Sequence, residues 1–171
     1  MFKKSSIVFG ALIITMAGLA NQVSAECLTV HGKAANNMQQ NGNTQGVASL
    51  RLDTQKLKCA IVGVPQSVIP GGPNFLHNIV CDNKASFDEA QSQVTLKTWF
   101  TSPPNPTGLC AENNPYGEVS FSFEEVSFPD PNSVRGDFMG ITDGGSIIIK
   151  GDYNCDGGII MKFSGEFCFS E

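Results

Sequence analysis

Alternation of apolar and polar residues with a period of two is the feature that most constrains this chain. It is clearest near the C-terminus. There Ile159, Met161, Phe163, Phe167 and Phe169 fall on one face, and Lys162, Ser164, Glu166 and Ser170 on the other. Successive side chains of an extended strand point to opposite faces, so this segment reads as a half-buried antiparallel strand. Val119, Phe121 and Phe123 make a second inward row. Val126 and Phe128 follow one residue out of phase, which predicts a β-bulge at Glu124-Glu125.

Seven further segments read as strands: Cys27 to Val30, Val47 to Leu52, Leu57 to Val64, Phe75 to Cys81, Gln93 to Phe100, Val134 to Met139 and Ser146 to Lys150. Leu57 to Val64 and Ile147 to Ile149 are apolar on both faces, as doubly covered strands are. Turn signals lie between the strands, among them Asn41-Gly42, Pro70-Gly71-Gly72-Pro73 and Asp143-Gly144-Gly145. No window predicts a long amphipathic helix, and Ser86 to Gln91 suffices for a single capped turn. Short strands joined by turns predict an all-β domain: an antiparallel β-sandwich, with a β-barrel as the alternative.

Residues 1–25 read as a secretory signal peptide. Lys3 and Lys4 precede an uncharged, mostly apolar run from Ile7 to Ala20, and Val23-Ser24-Ala25 offers a cleavage site before Glu26. The run is shorter than the roughly 20 apolar residues that span a bilayer, so no span is expected after signal removal. Residues 26–171 then form one secreted or periplasmic β domain. Removal takes two lysines and no acid, which makes the domain more negative than the −5 of the whole chain. A general basic field for nucleic acid is therefore not expected.

All six cysteines, Cys27, Cys59, Cys81, Cys110, Cys155 and Cys168, lie beyond the signal. An even count in an exported chain points to disulfides, and the absence of any CxxC argues against a redox motif or a zinc ribbon. Sequence does not choose among the 15 pairings that six cysteines allow. Cys168 stands on the polar face of its strand, so its partner is expected from a neighbouring strand or loop there.

Signatures of catalysis are scarce. The chain has no GxSxG, HExxH, P-loop or GxGxxG, and only two histidines, His31 and His77. His77 shares a strand face with Phe75 and Ile79, which suits a hydrogen-bonded rim or core residue. Glu124 and Glu125 are adjacent, so in a strand they face opposite ways and cannot form an acid/base couple. Asp152, Asn154 and Asp156 match the opening of a calcium loop. The position where that loop needs a bidentate Glu is Phe163, so no metal is expected and a polar hairpin turn is the better reading. Arg135-Gly136-Asp137 is an RGD tripeptide inside a strand-like segment rather than at a loop tip. No cofactor is implied.

Two loops stand out. Residues 36–45 are rich in Asn and Gln. Thr101 to Glu118 is long and Pro-rich, holds Cys110 and Tyr116, and follows Trp99, the only Trp. Long loops in compact domains are commonly functional, and Trp and Tyr often carry binding energy. The sequence thus points to an exported, non-catalytic binding or adhesion-type domain. It would meet a protein or glycan partner through Trp99 and Tyr116. The alternatives are a small secreted inhibitor of a hydrolase and an enzyme with a composite site.

Overall fold

A computed structural model describes residues 25–67, 70–82, 91–102, 105–106 and 119–170. Nine strands form one antiparallel sheet: β1 (Glu26–Met38), β2 (Thr44–Leu52), β3 (Gln55–Pro65), β4 (Phe75–Asp82), β5 (Ser92–Phe100), β6 (Asn105–Pro106), β7 (Val119–Pro129), β8 (Ile147–Asn154) and β9 (Gly158–Phe169). Each of β1 to β4 pairs with the next, β5 pairs with β7, β7 with β8, β8 with β9, and β9 with β1. Eight strands thereby close into an up-and-down barrel, while the two-residue β6 pairs with Phe121 and Ser122 on β7. No helix among the described residues is long and apolar enough to cross a membrane.

The barrel, not the sandwich, is the all-β architecture found, and its circular pairing explains why. Each of the eight barrel strands is paired on both sides, so the barrel has no free edge and a single interior takes their inward residues. Ile61, Ile79, Val94, Leu96 and Ile149 are fully buried there. The two-sided apolarity of β3 has a different origin from a second covering layer. Ala60 and Val62 point outward, and Val62 is exposed. β1 runs well past Val30 through Gly32, Ala34 and Ala35, residues of weak strand propensity. It is held on both sides, by β2 and by β9, which supply the ladder that propensity does not.

Cys27 and Cys168 are a direct cross-strand pair whose disulfide fastens the seam between the first and last strands. Cys168 thus finds its partner on a neighbouring strand. Cys59 and Cys81 bridge β3 and β4. Cys155 is disulfide-bonded as well, and Cys110 lies outside the described residues. Such bridges contribute about 2–4 kcal/mol each, mainly by restricting the unfolded chain.

Two local expectations are corrected. β7 keeps its phase through Glu124-Glu125, and its register with β8 is continuous from Phe121 to Ser127; the irregularity lies between Val119 and Phe121. Glu125 and Ser127 therefore point into the barrel, while Val126 and the exposed Phe128 stay outside. Those outer apolar residues have a reason: Trp99, paired with Val126, meets Phe128 edge-on at 5.8 Å. Val134 to Met139 is no strand either. It touches β5 at one bridge, Gln93 with Arg135, and then turns as a 3-10 helix over Gly136–Phe138. Gly136 has φ +58°, and a Cβ there would meet Ser92 Oγ at 2.5 Å, so only glycine fits. The turn drops Phe138 into the end of the barrel, where it is buried edge-on against Phe167 at 5.9 Å. The helical turn expected near residues 86–91 falls mostly outside the described residues.

Candidate site at the open mouth of the barrel

Opposite the Phe138 plug, the barrel ends in a mouth. The C-terminal ends of β1, β3, β5 and β8 and the N-terminal ends of β2, β4, β7 and β9 converge on it. Inward-facing aromatic residues from four strands form a collar: Phe75 on β4, Phe100 on β5, Phe121 and Phe123 on β7 and Tyr153 on β8. Alternation delivers each of them to the inner face, and their half-burial places them at the rim. Phe121 stacks on Tyr153 at 4.9 Å, and Phe100 stands edge-on to Phe75 at 5.9 Å and to Phe123 at 6.4 Å. These offset and edge-to-face contacts are the favourable aromatic arrangements, so the collar holds its own shape. The Tyr153 hydroxyl donates to Met38 Sδ at 3.5 Å.

Beneath the collar the interior turns polar. His77 and Glu125 are both buried, with Nε2 and Oε2 3.3 Å apart. Phe75 stacks on the His77 ring at 5.9 Å. Below them, Thr98 and Ser127 share a hydrogen bond of 2.8 Å. On the far wall Asn36 Nδ2 donates to Thr44 Oγ1 at 3.4 Å. The direction of the His77–Glu125 hydrogen bond follows the tautomer of the imidazole: a carboxylate can only accept, and it then takes the proton carried by Nε2. Two buried polar atoms are then left without a hydrogen-bond partner among the described residues: His77 Nδ1 and Asn36 Oδ1. An unmet polar atom in such a place costs about 1–3 kcal/mol, and native structures hold few of them.

A cavity of about 60 Å³ opens at this level, lined by the collar and by His77, Glu125, Thr44 and Met161. A glycine gives the imidazole its clearance from β3. Gly63 faces inward between Thr44 and His77, and a Cβ there would lie 2.5 Å from Thr44 Oγ1 and 3.2 Å from His77 Nδ1. Any larger residue at position 63 would fill the space in front of Nδ1.

Outside the barrel, Glu124 pairs with Lys150 at 2.8 Å, and that hydrogen bond holds its carboxyl below the usual range. The two adjacent glutamates thus serve opposite faces, as their alternation requires. Asp130 is held low in the same way, chiefly by its hydrogen bond to Lys97 at 3.1 Å.

The residues singled out from the sequence distribute as follows. Trp99 is on the outer wall, with Nε1 donating to the Gly71 carbonyl at 3.3 Å. Tyr116 lies outside the described residues, as does most of the Thr101 to Glu118 loop. That loop leaves β5 at the mouth, and Thr101 is tied to Glu124 at its start. Asp152, Asn154 and Asp156 belong to the β8–β9 hairpin. Asp152 accepts from Ser122 Oγ at 2.7 Å, and Asp156 accepts from the Gly158 amide at 2.8 Å. The Asp156 bond is that of a polar turn, and the Asp152 bond ties β8 to β7. Among the described residues the one cluster of metal-ligand type is Cys27, Glu166 and Cys168, whose two sulfurs are bonded to each other. In the RGD segment, Asp137 accepts from Ser92 Oγ at 2.9 Å and from Gln55 at 3.1 Å, which locks the tripeptide against the closed end. His31 is exposed.

The sequence reading did not single out Glu125 as a site residue. Its signal was present: counted in phase with Phe121 and Phe123 it falls on the inner face, as His77 does with Phe75 and Ile79. Comparison of the chain with protein-family models, with curated proteins and with solved structures finds no match.

Proposed function

We propose that this protein is an exported binding protein that holds a small, mainly apolar ligand in the mouth of the barrel. The observation that carries the reading is His77, which lines an aromatic-walled cavity and whose Nδ1 is buried without a hydrogen-bond partner among the described residues. Small-ligand sites are concave and apolar with few polar groups that fix orientation, and eight-stranded barrels leave room for one such ligand at the mouth. With the imidazole neutral and Nε2 donating to Glu125, Nδ1 offers a lone pair. The matching ligand has an aromatic or planar body against the collar and one O–H or N–H group directed inward. Disulfides support an oxidising compartment, and with the signal-like N-terminus they favour secretion or the periplasm. Titration with phenol and with toluene, followed by NMR shifts of the collar rings, tests the reading. Phenol should bind at least tenfold more tightly than toluene, and His77→Phe should abolish that preference. Equal binding of the two, or none of either, rejects it.

A second reading rests on the same pair. An imidazole paired with a carboxylate at the wall of a cavity, with its other nitrogen unpartnered among the described residues, is also a general-base arrangement. It requires a turnover that rises as the imidazole loses its proton and vanishes in His77→Phe. Ligand binding without turnover separates the two readings.

A further inference from the structure

The wall formed by β9, β1, β2 and β3 carries two adjacent rows of outward side chains. In the first, Ile160 pairs with Ala35, Ala35 with Val47, and Val47 with Ala60. In the second, Lys162 pairs with Lys33, Lys33 with Ser49, and Ser49 with Lys58. Each row crosses three strand gaps, or about 14 Å. The apolar row is open to solvent: Val47 is 68% exposed and Ile160 49%. Val47, Val62 and Ile160 are three of the six exposed large hydrophobic residues among those described, and all three belong to this wall. Lys33, Lys58 and Lys162 have no ion-pair partner among the described residues, whereas Lys97 and Lys150 do. Arg51 and Lys56, paired across β2 and β3, extend the positive charge. This concentration of cations lies on a chain whose net charge is −5.

We propose that this wall docks on an anionic lipid surface, as a peripheral contact distinct from the ligand site at the mouth. The charge is complementary to lipid phosphates, and lysine stems can lie along the aliphatic row while their ammonium groups reach the headgroups. A second copy of the chain fits poorly, because the two walls would set like charges face to face. A soluble polyanion would use the lysines but would gain nothing from Val47 and Ile160. The acidic remainder of the chain limits the contact to this wall.

Flotation of the purified protein with vesicles of phosphatidylcholine, with and without phosphatidylglycerol, tests the proposal. Binding should appear only with the anionic lipid and weaken as salt shortens the screening length. The triple variant Lys33→Gln, Lys58→Gln, Lys162→Gln should reduce partitioning about a hundredfold. Val47→Ser should reduce it several-fold. A melting curve confirms that each variant is folded, and a variant that is not is replaced by Lys33→Gln alone, expected to lose about fivefold. No binding to either vesicle, equal binding to both, or binding of inorganic polyphosphate that Val47→Ser leaves unchanged would each overturn it.

Discussion

The two ends of the barrel are built from the same alternating strands and finished in opposite ways. At the closed end a 3-10 turn inserts Phe138, Ser92 and Asp137 exchange two hydrogen bonds, and the Cys27–Cys168 bridge locks the seam. The Ser92 and Asp137 side chains there are matched to each other, and Phe138 covers the interior. At the open end the rings of the collar stop short of closing the interior. A buried His77–Glu125 pair lies beneath them, with a ring nitrogen left unmet. Closing an end maximises burial, whereas leaving one open with buried polar groups sacrifices stability. Proteins commonly accept that loss where they bind something.

If this division holds, the largest loss of stability should come from the closed end. Phe138→Ala removes a fully buried ring and should cost about 3–5 kcal/mol, read from the urea midpoint. A loss below about 1 kcal/mol would mean that the plug is dispensable. Next in size is the seam. Replacing Cys27 and Cys168 together by serine should cost about 2–4 kcal/mol, with the midpoint lowered and the slope raised, because the unfolded chain freed of the bridge exposes more surface.

The mouth should respond differently, and this sharpens the comparison most. Glu125→Ala leaves His77 Nε2 without a partner and should cost about 1–3 kcal/mol. His77→Phe combined with Glu125→Leu should recover that loss or exceed wild-type stability, because apolar replacement of a buried polar pair is often neutral or favourable. A double variant as unstable as the single one would make the pair a structural element, and the contrast between the ends would fail.

The smallest effect concerns Asp130, whose folded carboxyl is held below its ordinary value by Lys97. A depressed carboxylate contributes stability above the unfolded value near 3.8, and that contribution is lost as pH falls through the lower folded value. Asp130→Asn should thus lower stability at neutral pH by at most about 1 kcal/mol and have no effect below both values. Stability curves of the two proteins that fail to converge in acid would show that Asp130 acts only through its cap on the turn at Pro131–Ser133.

Most of the strands could be read from the sequence because each turns one face to the core, and alternation records that face directly. Ile159 to Phe169 and Phe75 to Cys81 are the clearest cases. β7 shows where this reading ends. Val126 and Phe128 are apolar because they pack under Trp99 on the outer wall, and Glu125 is inside because His77 faces it from β4. Both facts depend on strands far apart in the chain. Hydrophobicity alone therefore assigned these residues to the wrong faces.

The sequence by itself determined the class of the fold, the strand faces wherever only the core selects apolar residues, and the even set of cysteines available for bridging. Tertiary structure decided the closure into a barrel, since that depends on β1 meeting β9 and β5 meeting β7 rather than on any local signal. It decided which cysteines join, by placing Cys27 opposite Cys168 and Cys59 opposite Cys81. It also decided the candidate site. A short-range pattern can tell a side chain which face to take, but only pairing around the whole barrel brings His77 and Glu125, 48 residues apart, within 3.3 Å of each other.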